Sequence, residues 1–387
     1  MSPLFHESLG GVGRQAVLLA AKLSEYGLSF FVLSRKMKNL PELKAPLNVE
    51  VYYVSAFRPG IHILEEKSFV NLLISFSFSI MLALKLFSMR KKYDIVHFQG
   101  ASLPLIVCLP LLKLLRKKVI AKVLASGLGT EAGSLRGKYL FVGNLLAYVL
   151  RKTDAFVAIS QEIADGLKND GVETKKIIKI SNFVDTEKFY PVKSEVKHRI
   201  KAALALDESI VINFTGRIVE RKGLDFLINA FAQTKELLSS SILIIVGAGT
   251  DESKMKNLVS KLGIDNNIRF LGHASEIVRF YKASDIFVLP SFAEGMPNSL
   301  LEAMACGLPI IASKIGGVVD VVQDERSGIL FESGDMSGLS SAMVRLAKDD
   351  ALRQRLGAEA RKRILEDFSV EGIVDKYIKL YKTVLAQ

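Results

Sequence analysis

Two glutamates eight positions apart, Glu294 and Glu302 in SFAEGMPNSLLEAMACGLPIIAS, carry the most chemical potential in the chain. A carboxylate only accepts hydrogen bonds, so it suits vicinal hydroxyls such as those of ribose or a hexose. Between the two stand Gly295, Met296, Pro297 and Asn298. Glycine lets the backbone approach a ligand closely, and proline suits the first turn of a helix. Free backbone N–H groups around Gly295 to Ser299 would favour an anion such as a diphosphate. One carboxylate could hold a ribose diol and the other a sugar's hydroxyls, with phosphate between. On spacing alone, a solvated loop charge and an exposed helix charge fit as well.

A second group lies in FTGRIVERKGLDFL. Gly216 and Arg217 end a strand-like run, and Lys222 with Gly223 precedes a helical pattern. Arg217 and Lys222 could converge on the same diphosphate. The alternative is a basic surface cluster, which is the reading for Arg221. VGAGTDESKMKNLV, from Val246, is another Gly-rich strand-to-helix turn and is weak alone.

The elements that must position these residues are short apolar, β-branched runs alternating with amphipathic stretches. SFFVLS, VEVYYV, DIVHFQG, VIAKVLAS, AFVAIS and IIKIS read as strands of the first half; IVINFTG, SILIIVG, IRFLG, DIFVLPS, PIIAS and GILF as those of the second. Helical patterns such as Gly223–Ser239, Lys254–Leu262 and Ser299–Cys306 lie between them. Buried parallel strands read as continuous apolar runs, and alternation with helices implies βαβ units. Two such series imply an α/β protein of two doubly wound, Rossmann-like domains facing across a cleft. The expected domains are residues 1–190 and 191–366, with 367–387 a helix returning to the first. The turn SLGGVG, Ser8 to Gly13, is preceded only by MSPLFHE, too short and polar for a central strand. The expectation is that about five to eight apolar, β-branched residues are encoded in frame upstream of Met1.

In order and spacing, these stretches resemble the retaining glycosyltransferases of family 4, which have the GT-B fold. The resemblance is strongest from Val211 to Asp335. It rests on G-R-x(4)-K-G, on FLGH and YKASDIFVLPSFAEGMPNSLLEAMACGLPIIAS, and on SGILFESGD; GGVG, DIVHFQG, DAFVAIS and ISNFVDTEKF fit in the first half. The resemblance implies that Arg217 and Lys222 bind the donor diphosphate beside Gly216. It implies that Glu302 holds the nucleotide ribose, and that Glu294 and the amides of Gly295, Met296, Pro297 and Asn298 face the donor sugar and its phosphate. Phe270 to His273 would border the nucleobase, and Gly10 and Gly11 would lie near the phosphate and acceptor. Arg217, Lys222 and Glu294 are thus the expected catalytic residues, with Glu294 a sugar positioner rather than a nucleophile. No cofactor or metal is implied: the donor is a nucleotide-diphosphate sugar, and cations with a helix N-terminus replace a metal in stabilising the departing diphosphate.

Two features depart from the family pattern. Phe183 stands where the family usually has glycine, and a histidine common after the fifth strand is absent. Lys122, Ser126 and Glu131 are the local substitutes, and His97 is either family-like or a strand-end histidine without chemistry. The absent histidine and the missing first strand keep a second reading open: a non-catalytic nucleotide-sugar-binding or scaffold protein. A non-hydrolysing epimerase fits the motifs less well.

The totals narrow the partners. The chain has 387 residues, 49% hydrophobic and 24% charged, with net charge +12. That is a globular composition with a basic balance, suited to phosphorylated ligands or an anionic membrane surface; RNA-binding aromatic–basic motifs are not visible. Two cysteines, Cys108 and Cys306, in apolar surroundings read as reduced core thiols in a cytosolic compartment. FVNLLISFSFSIMLAL, Phe69 to Leu84, is followed by Lys85, Arg90, Lys91 and Lys92, and LPLIVCLPLLKLLRKK repeats the apolar-then-basic layout. Such a helix is buried, lies in a membrane interface, or spans it. The expected setting is cytoplasmic and peripheral at the inner face of the cell membrane. The expected acceptor is a glycan or lipid-linked molecule, and the expected reaction hexosyl or N-acetylhexosaminyl transfer.

Overall fold

The computed structural model describes residues 11–36, 49–57, 69–124, 148–206, 209–238, 240–274 and 276–387. The chain forms two compact units, Met1–Asn182 with Glu371–Gln387, and Phe183–Val370.

The first unit runs α1 (Gly11–Glu25), β1 (Phe31–Arg35), β2 (Glu50–Val54), α2 (Phe69–Ser88), β3 (Ile95–Gln99), α3 (Leu103–Leu114), β4 (Lys118–Val123), β5 (Ala155–Ala158), α4 (Gln161–Asn169) and β6 (Ile177–Lys179). Every pairing among these strands is parallel. They form two sheets, β1-β2 and β3-β4-β5-β6. β4 and β5 are covered on both faces, which is why VIA in β4 and AFVA in β5 are apolar without alternation.

The second unit runs α5 (Ser194–Ala203), β7 (Ile210–Thr215), α6 (Leu224–Gln233), β8 (Ser241–Val246), α7 (Glu252–Lys261), β9 (Ile268–Gly272), α8 (Val278–Ala283), β10 (Ile286–Leu289), α9 (Asn298–Ala305), β11 (Ile310–Ser313), α10 (Val318–Val321), β12 (Gly328–Phe331), α11 (Met336–Lys348) and α12 (Asp350–Asp367). Its six strands pair in parallel in the order β12-β11-β10-β7-β8-β9. The main core packs α6, α7 and α11 onto the sheet through residues such as Ile228, Val259 and Met343. The helical pattern expected from Gly223 to Ser239 stops at Gln233. There the Thr234 hydroxyl donates back to the carbonyls of Ala230 and Phe231, the competition with the backbone that makes threonine a poor interior helix residue.

The last helix, α13 (Val370–Ala386), belongs to the first unit from Glu371 onward. Its Tyr381 hydroxyl meets Nδ1 of His97 at 2.8 Å. The chain is thus two Rossmann-like units joined by a segment that leaves the first at Asn182 and returns at Glu371.

One ion cluster fixes the central strand that leads to the site. Asp285, directly ahead of β10, accepts from Lys201 at 2.6 Å and from the Val211 amide at 2.8 Å, and pairs with Lys197 at 2.5 Å. Burial works against the Asp285 carboxylate, yet the two lysines outweigh it and hold its pKa below the ordinary 3.8. The stability this contributes is present above the unfolded-state value and is lost as pH falls through the lower folded value. We expect Asp285→Asn to cost about 3 kcal/mol at neutral pH, because it leaves two partly buried ammonium groups without their carboxylate. Urea unfolding at stepped pH checks this: the gap between wild type and variant should close as pH drops below the carboxylate range.

Candidate active site

The order of strands in the second unit decides where a ligand can sit. From β7 the chain moves outward through β8 and β9; it then returns to β10, on the other side of β7, and moves outward through β11 and β12. The loops leaving β7 and β10 therefore diverge at their carboxyl ends and open a crevice, where doubly wound sheets bind ligands. Arg217 and Lys222 follow β7, and Glu294 to Asn298 follow β10. Two stretches some seventy residues apart in sequence meet at one point of the sheet.

The backbone locks these loops together. The turn Glu220–Lys222 ends at Gly223, whose φ is +65°. A Cβ there would stand 2.2 Å from the Pro290 carbonyl oxygen, so only glycine lets the first loop lie against the second. The Phe292 amide then donates to the Arg221 carbonyl at 2.9 Å. On the far side, the Ile218 amide donates to Ala248 and the Asp251 amide to Ile218, so the turn after β8 supports the Arg217 segment. A third brace comes from the loop after β11: the Gly317 amide donates to the Glu294 carbonyl at 3.3 Å, and a Cβ on Gly317 would stand 1.8 Å from the Gly295 oxygen.

Within this frame Lys222 donates to Oε1 of Glu294, and the two side chains are 10% and 6% exposed. Ser291 donates to the same oxygen at 2.8 Å. The Arg221 guanidinium stands 4.0 Å from Oε2. Burial lowers the Lys222 pKa, Glu294 opposes that, and the neighbouring charges of Arg221 and Arg217 add to the lowering. Lys222 and Arg221 thus share one carboxylate, and Arg217 is near enough to act on Lys222, an excess of positive charge suited to an anion.

Past this pair the chain enters α9 at Asn298, capped by Pro297, whose carbonyl accepts from Leu300 and Leu301. Glu302 lies one turn in, 5% exposed, and accepts from the buried Tyr281 hydroxyl at 2.9 Å. Tyr281 comes from α8 and fixes the carboxylate's orientation. Met296 is buried beneath the loop.

The structure brings Gly216, Arg217, Lys222, Glu294, Gly295, Met296, Pro297, Asn298 and Glu302 to the crevice edge of one sheet. Phe270 lies midway along β9 and His273 follows its carboxyl end, two strands away from β7, with Lys256 over the Phe270 ring. Gly11 opens α1 in the first unit, while Gly10, Ser126 and Glu131 lie outside the described residues. Lys122 is buried in β4, donates to Asn182 at 2.9 Å, and has its pKa lowered by burial to about 7. His97 packs against both Tyr377 and Tyr381, and burial holds its pKa well below 6.5. Phe183 is a buried core residue of the second unit. Sequence reasoning missed Ser291, Tyr281 and Gly317. A doubled glycine after an apolar strand was the one signal for the last; nothing in the spacing marks the other two as partners of the glutamates.

Among the described residues, no group of three or more histidines, cysteines, aspartates or glutamates is placed to hold a metal ion.

Comparison with known proteins fits this architecture. Residues 196–363 match the family described as glycosyl transferases group 1, and residues 9–188 match Glycosyltransferase Family 4. The N-acetyl-alpha-D-glucosaminyl L-malate synthase of Bacillus anthracis is 30% identical over 297 residues, 76% of each chain. The UDP-Gal:alpha-D-GlcNAc-diphosphoundecaprenol alpha-1,3-galactosyltransferase of Escherichia coli is 30% identical over 299 residues, again 76% of each. Among solved structures, Anabaena HepE in complex with UDP and glucose superposes with a TM-score of 0.78 at 19% identity, covering 97% of this chain and 96% of that one. The chain belongs to the family 4 glycosyltransferases and has their two-domain GT-B fold.

Proposed function

We propose that this glycosyltransferase moves a hexosyl or N-acetylhexosaminyl group from a nucleoside-diphosphate donor to a polysaccharide or lipid-linked acceptor, with retention and without a metal. The observation that carries the reading is the Lys222–Glu294 pair, seated with Arg217 where the strand order reverses. A diphosphate in the crevice would meet Arg217, Lys222 and the first amides of α9. Bond breaking concentrates negative charge on that diphosphate, so fixed donors there favour the transition state over the ground state. Glu302, oriented by Tyr281, would hold the ribose diol, and Glu294 the sugar hydroxyls. Support for the donor class comes from relatives: HepE is seen with UDP and glucose, and the Escherichia coli enzyme is named for UDP-Gal and a diphosphoundecaprenol acceptor.

The first unit supports a lipid-linked acceptor at an anionic, cytoplasmic membrane face. Helix α2 has two apolar sides. Ile74, Phe78, Leu82 and Leu86 are buried, while Leu72, Phe76, Ile80, Leu84 and Phe87 on the other side are exposed. A helix that spends half its circumference on protein is better suited to lie along a bilayer than to cross it. Lys85, Arg90, Lys91 and Lys92 cluster at its carboxyl end, where they would meet lipid phosphates.

Glu302→Ala should raise the donor dissociation constant at least tenfold, because hydrogen bonds to a charged group contribute about 1.5–3 kcal/mol. Calorimetry with UDP-sugars on the folded variant checks it, and unchanged affinity would remove Glu302 from the ribose site.

Arg217→Ala and Lys222→Met should lower turnover by at least 100-fold with a smaller effect on donor binding. Wild-type transfer should continue in EDTA. Full activity in either variant, or loss of wild-type activity on chelation, counts against the mechanism; donor binding with no transfer to any acceptor would favour the scaffold reading.

The protein should sediment with vesicles containing phosphatidylglycerol but weakly with neutral ones. Phe76→Asp combined with Ile80→Asp should abolish sedimentation while leaving the circular dichroism spectrum unchanged. Equal binding by both proteins would mean that α2 is not the docking face.

A further inference from the structure

Glu302, the carboxylate proposed for the ribose, is held by a chain of contacts that ends on α12. A glutamate side chain turns easily about its last bond, so one hydrogen bond fixes its direction only if the donor is itself fixed. That donor is the Tyr281 hydroxyl, 2.9 Å from Oε2, on a ring that is fully buried. Two aromatic rings pack against it. Phe287 of β10 lies 6.0 Å away between centroids, and Phe189 meets it edge-on at 5.9 Å and 72°. Phe287 is held by the sheet. Phe189 lies in a turn outside any helix or strand, so its position needs a support of its own.

Arg361 of α12 supplies that support. Its Nη1 donates to the Phe189 carbonyl at 2.8 Å, and its Nη2 to the Thr186 carbonyl of the same turn at 3.3 Å. Nη1 also donates to the Ala305 carbonyl at 2.8 Å. Ala305 ends α9, the helix that carries Glu302. The last four carbonyls of a helix have no partner within it. In α9 the Glu302, Ala303 and Met304 carbonyls accept from the Cys306, Leu308 and Gly307 amides, and the Ala305 carbonyl accepts from Arg361. A Cβ on Gly357, one turn before Arg361, would stand 2.2 Å from the Gly307 oxygen, so α12 lies directly against this end of α9. Capping the helix requires only the Ala305 contact. The two bonds to the Phe189 turn go further, and the planar fork of a guanidinium lets one side chain hold both segments in a fixed relation.

We infer that Arg361 is a positioning residue for the donor: through Phe189 and Tyr281 it sets the direction of the Glu302 carboxylate, while its bond to Ala305 holds the helix behind that carboxylate. The group whose recognition depends on it is the diol of a ribonucleotide. The inference rests on the reading of Glu302 as the ribose ligand, and its test separates the two.

The test measures dissociation constants for UDP, ADP and GDP, then for the 2′,3′-dideoxy form of whichever binds most tightly. The dideoxy form keeps base and diphosphate and lacks the diol. Wild type should prefer the ribonucleotide by at least about tenfold. Arg361→Met, which keeps an apolar stem and removes the fork, should cut that preference by about threefold or more, with the dideoxy form bound as in wild type. A merely structural role would weaken both nucleotides alike. Tyr281→Phe should lose the same preference, and adding Arg361→Met to it should lose no more, because both act on one carboxylate. If circular dichroism shows Arg361→Met unfolded, Phe189→Leu carries the same expectation, since it removes the ring and keeps the carbonyl that Arg361 holds. An unchanged preference, equal weakening of both nucleotides, or additive losses in the double variant would overturn the role of Arg361 and leave the ribose site standing. A wild type without the preference, or without affinity for any of the three nucleotides, would overturn the ribose assignment itself and this inference with it.

Discussion

An ammonium and a carboxylate held almost out of water, Lys222 on Glu294, set the terms for the second unit. Breaking a buried pair by removing one partner typically costs about 3–5 kcal/mol, far more than the pair contributes to stability when intact. Such a pair persists only where the surrounding backbone fixes both ends. Here that backbone is two loops from adjacent strands, held by the Gly223–Pro290 approach, the Phe292–Arg221 hydrogen bond and the Gly317 brace. Asp285 holds the other end of β10 against β7 and α5. The strand that delivers Glu294 is therefore anchored electrostatically at its start and sterically at its finish.

The parts of this arrangement differ in how far they can be read from the chain. DIFVLPS and IVINFTG are legible as buried parallel strands because burial on both faces removes polar residues from the run. The crevice loops are legible because glycine and proline between a strand and a helix have few other uses. Partners are not legible: periodicity reports that a side chain is buried, not which group it meets. Glu294 reads as a ligand for a sugar, yet its immediate neighbours are Lys222, 72 positions away, and Ser291. Tyr281 reads as core, and its hydroxyl orients Glu302. The stretch Phe69 to Leu84 left three readings open for the same reason. An apolar side chain looks alike whether it packs on α3 or faces outward, and only the fold separates Phe78 from Phe76.

The two units use one architecture for different ends. In the second, every strand of the sheet is paired in sequence order around a reversal, and the ligand-facing residues follow from that reversal. In the first, β4 places Lys122 deep in the sheet beside Asn182, the last residue before the chain enters the second unit. Burial brings its pKa to about 7, so its charge is costly in the folded state and a neutral amine is accommodated there. An apolar side chain at that position would remove the cost but also the bond to Asn182, so the lysine serves the end of the first unit's chain path rather than the stability of its sheet.

The charge balance at the crevice links structure to the proposed chemistry. Glu294 neutralises Lys222 in the protein alone, and Arg221 and Arg217 keep the surroundings positive. A diphosphate entering the crevice would compete with Glu294 for the ammonium, and as its charge grows during bond cleavage the competition would shift in its favour. Glu294 would then retain Ser291 as donor and Arg221 as counter-charge. Its second oxygen would be available to a sugar hydroxyl. A cation shared between a fixed carboxylate and a developing anion stabilises the anion most where its charge is greatest. The same pair that maintains the loops would thus respond selectively to the transition state.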